Sequence, residues 1–256
     1  MLDAPVRELF GIRVAAVTMP DVVRVVDGAI AGRRPLQIGV VNAAKIVNMK
    51  RDPRLCEDVL ASDIVLADGM AVVWASRLLG RSLPERVAGI DLMYALIDRA
   101  AERGYRVFCL GATPDVLAGA VESFRRRRPA VIIAGSHHGY FSAEEEPAVA
   151  RAIEASRADI VFIAMTSPRK EQFLARWSRQ LGVPVWHGVG GSFDVAAGLV
   201  QRAPVAWQRL GLEWLYRAKQ EPRRLARRYL VTNLLFIGIA AREMLRTRRG
   251  QLRTAR

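Results

Sequence analysis

Five short stretches of the chain carry groups suited to moving a proton or holding an anion, and each follows an apolar run. Asn42 follows LQIGVV, Asp68–Gly69 follows IVLA, Gly111–Ala112–Thr113–Pro114 closes RVFCLG, Thr166–Lys170 follows IVFIAM, and Gly188–Asp194 reads GVGGSFD. Asp68 puts a carboxylate where a general base for a hydroxyl would stand, although an aspartate in that position also serves as a helix N-cap. Gly-Ala-Thr-Pro between a strand and a helix suits a phosphate, because free amides at a helix N-terminus favour an anion; an ordinary tight turn uses the same residues. In LPERVAGIDL, Arg86 reads as an anion ligand and Asp91 as a cap, or both as structural. Asp63 and Asp159 begin strands and so fall on the opposite rim. The chain has no G-x-G-x-x-G with a following acid, no G-x-x-x-x-G-K-[ST] and no Asp-x-Asp. His137 and His138 are adjacent and His187 stands alone, a spacing that predicts loop or core histidines and no metal site.

The elements that would position these residues alternate. Runs at Arg13–Val17, Leu36–Val41, Ile64–Ala67, Arg106–Leu110, Val131–Ala134, Ile160–Ala164 and Val185–Val189 read as strands. Ala44–Leu60, Gly69–Leu79, Asp91–Arg103, Pro114–Arg127, Ala143–Ser156 and Pro168–Leu181 have helical spacing. This pattern predicts an α/β fold, Rossmann-like, with a largely parallel sheet flanked by helices. Ligands of such sheets bind beyond the carboxyl ends of the strands, which is where the five stretches fall.

The composition divides the chain. Its 256 residues are 51% hydrophobic, enough for a sizeable core, and carry 39 basic against 25 acidic side chains, a formal charge of +14. Residues 1–200 are nearly balanced, with 25 basic and 22 acidic, whereas 201–256 hold 14 basic and 3 acidic. The expected organisation is an α/β catalytic domain over 1–203 and a basic helical appendage over 204–256, with Pro222 interrupting the helical text. Cys56 and Cys109 are too few to staple such a domain, which predicts a reducing, cytoplasmic setting. MLDAPVRELF lacks the basic-then-apolar order of a signal peptide. The uncharged run Tyr229–Ala241 is too short to span a bilayer; it lies on a membrane or forms a buried helix.

The segments NAAKIVNMKRDP (Asn42–Pro53), LADGMAVVWASRLLG (Leu66–Gly80), LPERVAGIDL (Leu83–Leu92), MTSPRKEQF (Met165–Phe173), GVGGSFDVAAGLVQRAP (Gly188–Pro204) and EWLYRAKQEPRRLARRYL (Glu213–Leu230) occur in this order. Together they resemble the WecG/TagA/CpsF glycosyltransferases, family 26, over Leu36 to Leu230. The resemblance implies inverting transfer of a sugar from a nucleotide diphosphate onto a polyprenyl-diphosphate-linked saccharide in cell-surface polysaccharide synthesis. It implies Asp68 as base, Arg86 as a contact to donor or acceptor, and an appendage that covers the site and supplies Arg217, Arg224 and Arg227. Arg228 replaces Arg227 if the helix runs unbroken. Asn42 and Lys170 are the expected substrate contacts; Gly111, Gly188, Gly190, Gly191, Phe193 and Asp194 are the expected nucleotide contacts. With no Asp-x-Asp to grip a metal, arginines neutralise the diphosphate, and no cofactor is expected.

Two departures bear on the donor. Val40 stands where many members carry Thr, and Arg169-Lys170-Glu171 follows Pro168 where they carry Lys-Gln-Glu. The resemblance therefore points away from UDP-N-acetylmannosamine and towards UDP-glucose, UDP-glucuronate or another UDP-sugar of an exopolysaccharide. Trp207, Trp214, Tyr216 and Tyr229 among arginines suit an anionic membrane surface, which predicts a peripheral enzyme at the inner face of the cell membrane. The apolar tail alternatively packs on a second copy of the chain. Two other readings compete: a nucleic-acid binder, which the basic tail supports but Asp68 and the glycine loop do not, and a nucleotide-dependent oxidoreductase, which lacks its fingerprint.

Overall fold

Strands that are apolar on both faces must be covered on both faces, and this requirement organises the chain. The computed structural model describes residues 5–254, without the side chains of Arg224, Ala226 and 247–254, so the role expected of Arg224 lies outside the described residues. Six strands form a parallel sheet: β3 (Leu36–Val41), β4 (Ile64–Ala67), β5 (Arg106–Gly111), β6 (Ile132–His137), β7 (Ile160–Ala164) and β8 (Val185–Gly188), in the order β4-β3-β8-β7-β5-β6. One face, with Ile38, Leu66, Phe162 and Val185, packs on α1 (Met19–Ala31), α5 (Gly89–Arg103), α6 (Pro114–Arg127) and α9 (Ser192–Ala196). The other face packs on α2 (Ala43–Met49), α3 (Pro53–Leu60) and α4 (Met70–Leu78) at the β3–β4 end. At its β7–β5 end this face carries α7 (Glu146–Ala155) and α8 (Arg169–Trp177).

The expected Rossmann-like α/β class is what the chain adopts, with three local differences. The run near Arg13 does not join the sheet. It forms β2 (Ile12–Ala15), which pairs antiparallel with β1 (Val6–Leu9) through a two-residue turn. Phe10 and Gly11 both take positive φ there, 58° and 80°, the geometry that matches strand twist in tight hairpins. The segment Ala44–Leu60 is two helices, because Asp52 accepts a hydrogen bond from the Leu55 amide and Pro53 starts a new first turn. Helix α1, which the strand-centred reading left unassigned, is fixed by Asp21, whose carboxylate accepts from both the amide and the hydroxyl of Thr18.

Beyond residue 204 come α10 (Val205–Arg209), α11 (Glu213–Gln220) and α12 (Pro222–Thr254). As expected, Pro222 interrupts the helical text: Glu221 leaves helical geometry at φ −130°, ψ 65° and α12 restarts after it. Helix α12 lies across α2, burying Leu225, Thr232 and Phe236; the Phe236 ring meets Phe10 of the hairpin edge-on at 5.4 Å. Gly211, at φ +63°, lets the turn before α11 settle on α4, since a Cβ there would stand 2.6 Å from the Trp74 ring. Among the described residues no helix is long and apolar enough to cross a membrane.

Strand order reverses between β3 and β8: the chain leaves β3 for β4 on one side and builds every later strand on the other. Such a point opens a crevice at the carboxyl edge. Further along that edge, Gly111 holds φ +126°, and a Cβ on it would lie 2.4 Å from the Ala164 carbonyl oxygen. Gly111→Ala is expected to cost on the order of 3 kcal/mol, read as a lowered urea midpoint with an unchanged slope.

Candidate active site

The crevice is a cavity of about 350 Å³ with walls from Asn42, Asp68, Arg86, Ala88–Ile90, Lys170 and Gly188–Ser192, and a cover from Glu213, Trp214, Arg217, Arg228, Tyr229 and Asn233. Asp68 emerges from β4, and its two carboxylate oxygens have separate partners. Oδ1 accepts from the Gly89 amide at 2.8 Å, and Oδ2 from the Asn42 side-chain amide at 3.3 Å. Asn42 caps α2 by accepting from the Lys45 amide at 3.0 Å, so its oxygen is committed and its NH₂ must face Asp68. The N-cap of α4 is Gly69, so Asp68 is not spent capping that helix.

Gly89 is gripped at its other end too. The His187 Nε2 lies 3.0 Å from the Gly89 carbonyl, and because a carbonyl only accepts, Nε2 carries the proton. Burial pushes His187 down to about 4, so the ring is neutral at physiological pH. Sequence spacing left His187 as a loop or a core histidine; it lies in the core, with Gly89 between it and Asp68.

A second cluster stands on the cavity floor. The Lys45 ammonium donates to Glu171 at 2.6 Å, and Lys170 stands 3.4 Å from the same oxygen. Burial alone would raise Glu171; Lys170 and Lys45 outweigh it and hold the carboxyl at about 2. Burial, then the neighbouring Lys45 charge, brings Lys170 down to about 8.

Arg86 reaches the cavity wall already engaged. Its Nη1 donates to Glu213 of α11 at 2.7 Å, while Nη2 lies 3.4 Å from Gln208 and 3.5 Å from Asp91. Asp91 is not a cap: Arg202 grips both its oxygens, at 2.5 and 2.7 Å.

The structure thus brings Asn42, Asp68, Arg86, Lys170, Gly188, Gly190, Gly191 and Arg217 to one cavity. Four expected positions stand apart from its lining. Gly111 lies two strands away from β8, where its missing side chain admits the Ala164 backbone. Phe193 is fully buried, edge-on to Phe124 at 5.9 Å, and is a core residue. Asp194 sits behind Gly191, receiving the Leu199 and Val200 amides on its backbone carbonyl. Arg227 is exposed and its neighbour Arg228 lines the cavity. The break at Pro222 resets the register, and Leu225 and Thr232 face the protein, with Arg228 three residues after one and four before the other. Trp214 and Tyr229, expected at a lipid surface, also line the cavity, their rings 6.2 Å apart. Asn233 and Arg202 were not singled out by spacing, since a lone Asn or Arg in a helical tail carries no signal of the face it will present, and nothing in its spacing linked His187 to Asp68.

A parallel sheet with a polar crevice at its switch point, lined by a braced carboxylate and by cations from the covering helices, is the architecture of a Rossmann-like α/β protein with a ligand site at the carboxyl edge. The profile of the Glycosyl transferase WecG/TagA/CpsF family matches residues 7–250, and the chain belongs to that family. It is a glycosyltransferase of cell-surface polysaccharide biosynthesis, which decides among the three readings of the sequence.

His187 also links the site to stability. In the folded chain it takes up a proton near pH 4, and in the unfolded chain near 6.5, so the unfolded chain binds more protons between these values and stability rises with pH across that window. Acidification from pH 6.5 to 4 is expected to cost on the order of 3 kcal/mol through this group. Denaturation curves of His187→Gln, stepped through the same range, should be flatter by that amount.

Proposed function

We propose that the cavity transfers a hexosyl group from a UDP-sugar, with inversion, to a hydroxyl of a polyprenyl-diphosphate-linked saccharide. The observation that carries this reading is Asp68, with each oxygen held by a separate donor in the same cavity as Arg217, Arg228 and Lys170. Inversion in one step needs a base for the acceptor proton and fixed positive charge for the leaving diphosphate. Asp68 removes the proton from the attacking hydroxyl as the oxygen bonds to the anomeric carbon and the UDP oxygen departs with the bonding pair. Arg217 and Arg228 stand where that charge develops, and Gly190 and Gly191 keep the wall bare for the phosphates. Arg86, tied to Glu213, sets the cover against the catalytic rim. Neutralisation by arginine predicts turnover that persists in EDTA.

Asp68→Asn is expected to lower turnover by about 10²- to 10⁴-fold while UDP-sugar affinity stays within about twofold. UDP release from a panel of nucleotide sugars, in the presence of a lipid-linked acceptor analogue, measures both; wild-type turnover in the variant would remove Asp68 from the role.

The acceptor's lipid stays in a bilayer, and α12 carries a surface for it. Leu230, Leu234, Ile237 and Leu245 are 59, 62, 62 and 55% exposed and recur along one helix face, flanked by exposed Arg227, Arg242 and Arg246. Apolar side chains entering the headgroup region beside arginines suit the anionic inner face of the cell membrane. Replacing Leu230, Leu234 and Ile237 together by Ser should abolish co-sedimentation with phosphatidylglycerol vesicles. Retained sedimentation, or a change from oligomer to monomer without lipid, would assign the stripe to a second copy of the chain instead.

A further inference from the structure

Helix α4 is apolar on its outward side as well as its inward one. Val72, Val73, Ala75 and Ser76 are buried against the body. Met70, Trp74, Arg77 and Leu78 share the opposite face, spaced i, i+4, i+7 and i+8. A surface helix ordinarily gives that face to charged and polar groups. Here Trp74 is 41% and Leu78 72% exposed, Arg77 is the one charge of the helix, and no acid accompanies it. A helix that is apolar all round is built to be covered on both sides.

The cover reaches only the first half of this face. A Cβ on Gly211 would stand 2.6 Å from the Trp74 ring and 3.0 Å from Met70 Cβ, so the turn before α11 presses on the start of the helix and leaves Leu78 bare. Met70 and Gly211 also line the cavity that holds Asp68. The apolar face therefore begins inside the cavity and runs out of it, and Leu210, beside Gly211 on the covering turn, is exposed as well. Its far end lies next to α12, where Arg81, three residues after Leu78, pairs with Glu243 at 3.6 Å.

Building on the proposed transfer to a polyprenyl-linked acceptor, we propose that the Met70–Trp74–Leu78 face of α4 is the track that binds the acceptor's isoprenoid chain as it leaves the cavity. A bilayer would cover Leu78 but stop short of Met70, which lies in the cavity lining, and a second copy of the chain would stop at the same rim. A flexible chain tethered to a sugar in the cavity meets both ends. Arg77, with no acid on the helix, suits a chain that follows a diphosphate. The helix rises about 12 Å from Met70 to Leu78, room for roughly two or three isoprene units before the rest passes to the bilayer beside α12.

Isothermal titration of the full chain, held in excess UDP so that the donor site is filled, with isopentenyl, geranyl and farnesyl diphosphates tests this. The headgroup is common to the series, so differences report the chain. Affinity should rise about tenfold or more from the isopentenyl to the farnesyl compound, a fraction of what full burial of two further isoprene units would give. Leu78→Asp should cut that gain to within about twofold, whereas Leu60→Asp, at an exposed position on α3, should keep it. A flat series in wild type overturns the proposal and needs no variant to fold. Loss of the gain in both variants overturns it as non-specific. Survival of the gain in Leu78→Asp overturns it as well: its loss on replacing Leu230, Leu234 and Ile237 by Ser then assigns the chain to α12, weaker sedimentation of Leu78→Asp with phosphatidylglycerol vesicles assigns the face to the bilayer, and a change from oligomer to monomer assigns it to a second copy. UDP is titrated first. If it does not bind, the UDP-sugar reading falls, and the series, run without it, still decides the track.

Discussion

A single glycine, held at both ends, fixes the geometry on which the site depends. The Gly89 amide points at Asp68 and its carbonyl receives His187, so the first turn of α5 is pinned between β4 and the central strand β8. His187 itself is locked by strands on either side, opposite Ile38 of β3 and Phe162 of β7. The carboxylate is thus referenced to the middle of the sheet, the part of the fold least able to move. In the proposed role of Asp68 a mobile carboxylate would have to be reorganised at each turnover, whereas one held by a backbone amide and a helix-capping asparagine is already oriented.

The same loop carries the hinge between sheet and cover. Arg86 and Asp91 bracket Gly89, and each reaches an opposite charge contributed from residue 202 onward: Glu213 for Arg86 and Arg202 for Asp91. Four alternating charges in a partly buried setting have strict geometry, because removing one leaves its partner uncompensated. The cover therefore cannot shift without loosening the loop that braces Asp68. Arg86 reads from sequence as an anion ligand, yet both of its terminal nitrogens are engaged by protein partners. Its physical effect in this arrangement is to set the appendage, while the cations facing the cavity without such a close partner come from Arg217, Arg228 and Lys170.

The sheet was legible in the sequence because its strands other than the edge strand β6 are largely buried on both faces. Leu36–Val41, Ile64–Ala67 and Ile160–Ala164 match their apolar runs residue for residue. Asn42, Asp68 and Gly188 follow from the rule that sites form beyond strand ends. What spacing could not show is which face a residue presents once packing sets a register. Arg227 and Arg228 differ by one position, and burial of Leu225 and Thr232 against the body decides between them. The hairpin was hidden because Phe10, an aromatic residue, takes the positive φ usually marked by Asn or Gly. The Gly111 turn misled for the opposite reason: a glycine before a helix has the composition of a phosphate cradle, and here its space is filled by the neighbouring strand.

The described arginines of α11 and α12 separate into two populations with different physics. Arg217 is half-buried at the cavity, where salt screens weakly, and Arg228 lines the same cavity from an exposed position. Arg227, Arg242 and Arg246 face solvent, where their attraction to an anionic surface fades over roughly 8 Å at physiological ionic strength. Long-range attraction is weak per residue but acts before contact, and the apolar stripe adds adhesion only after contact. In the proposed membrane docking, α12 turns Arg228 to the cavity and its exposed leucines and arginines to the bilayer, so one helix serves both the body and the surface. Tyr229 lines the cavity while Leu230, its immediate neighbour, is exposed, so the passage from cavity to outer face is crossed within a single residue step. In the proposed reaction, a substrate with its lipid in the membrane and its sugar in the cavity needs that short crossing.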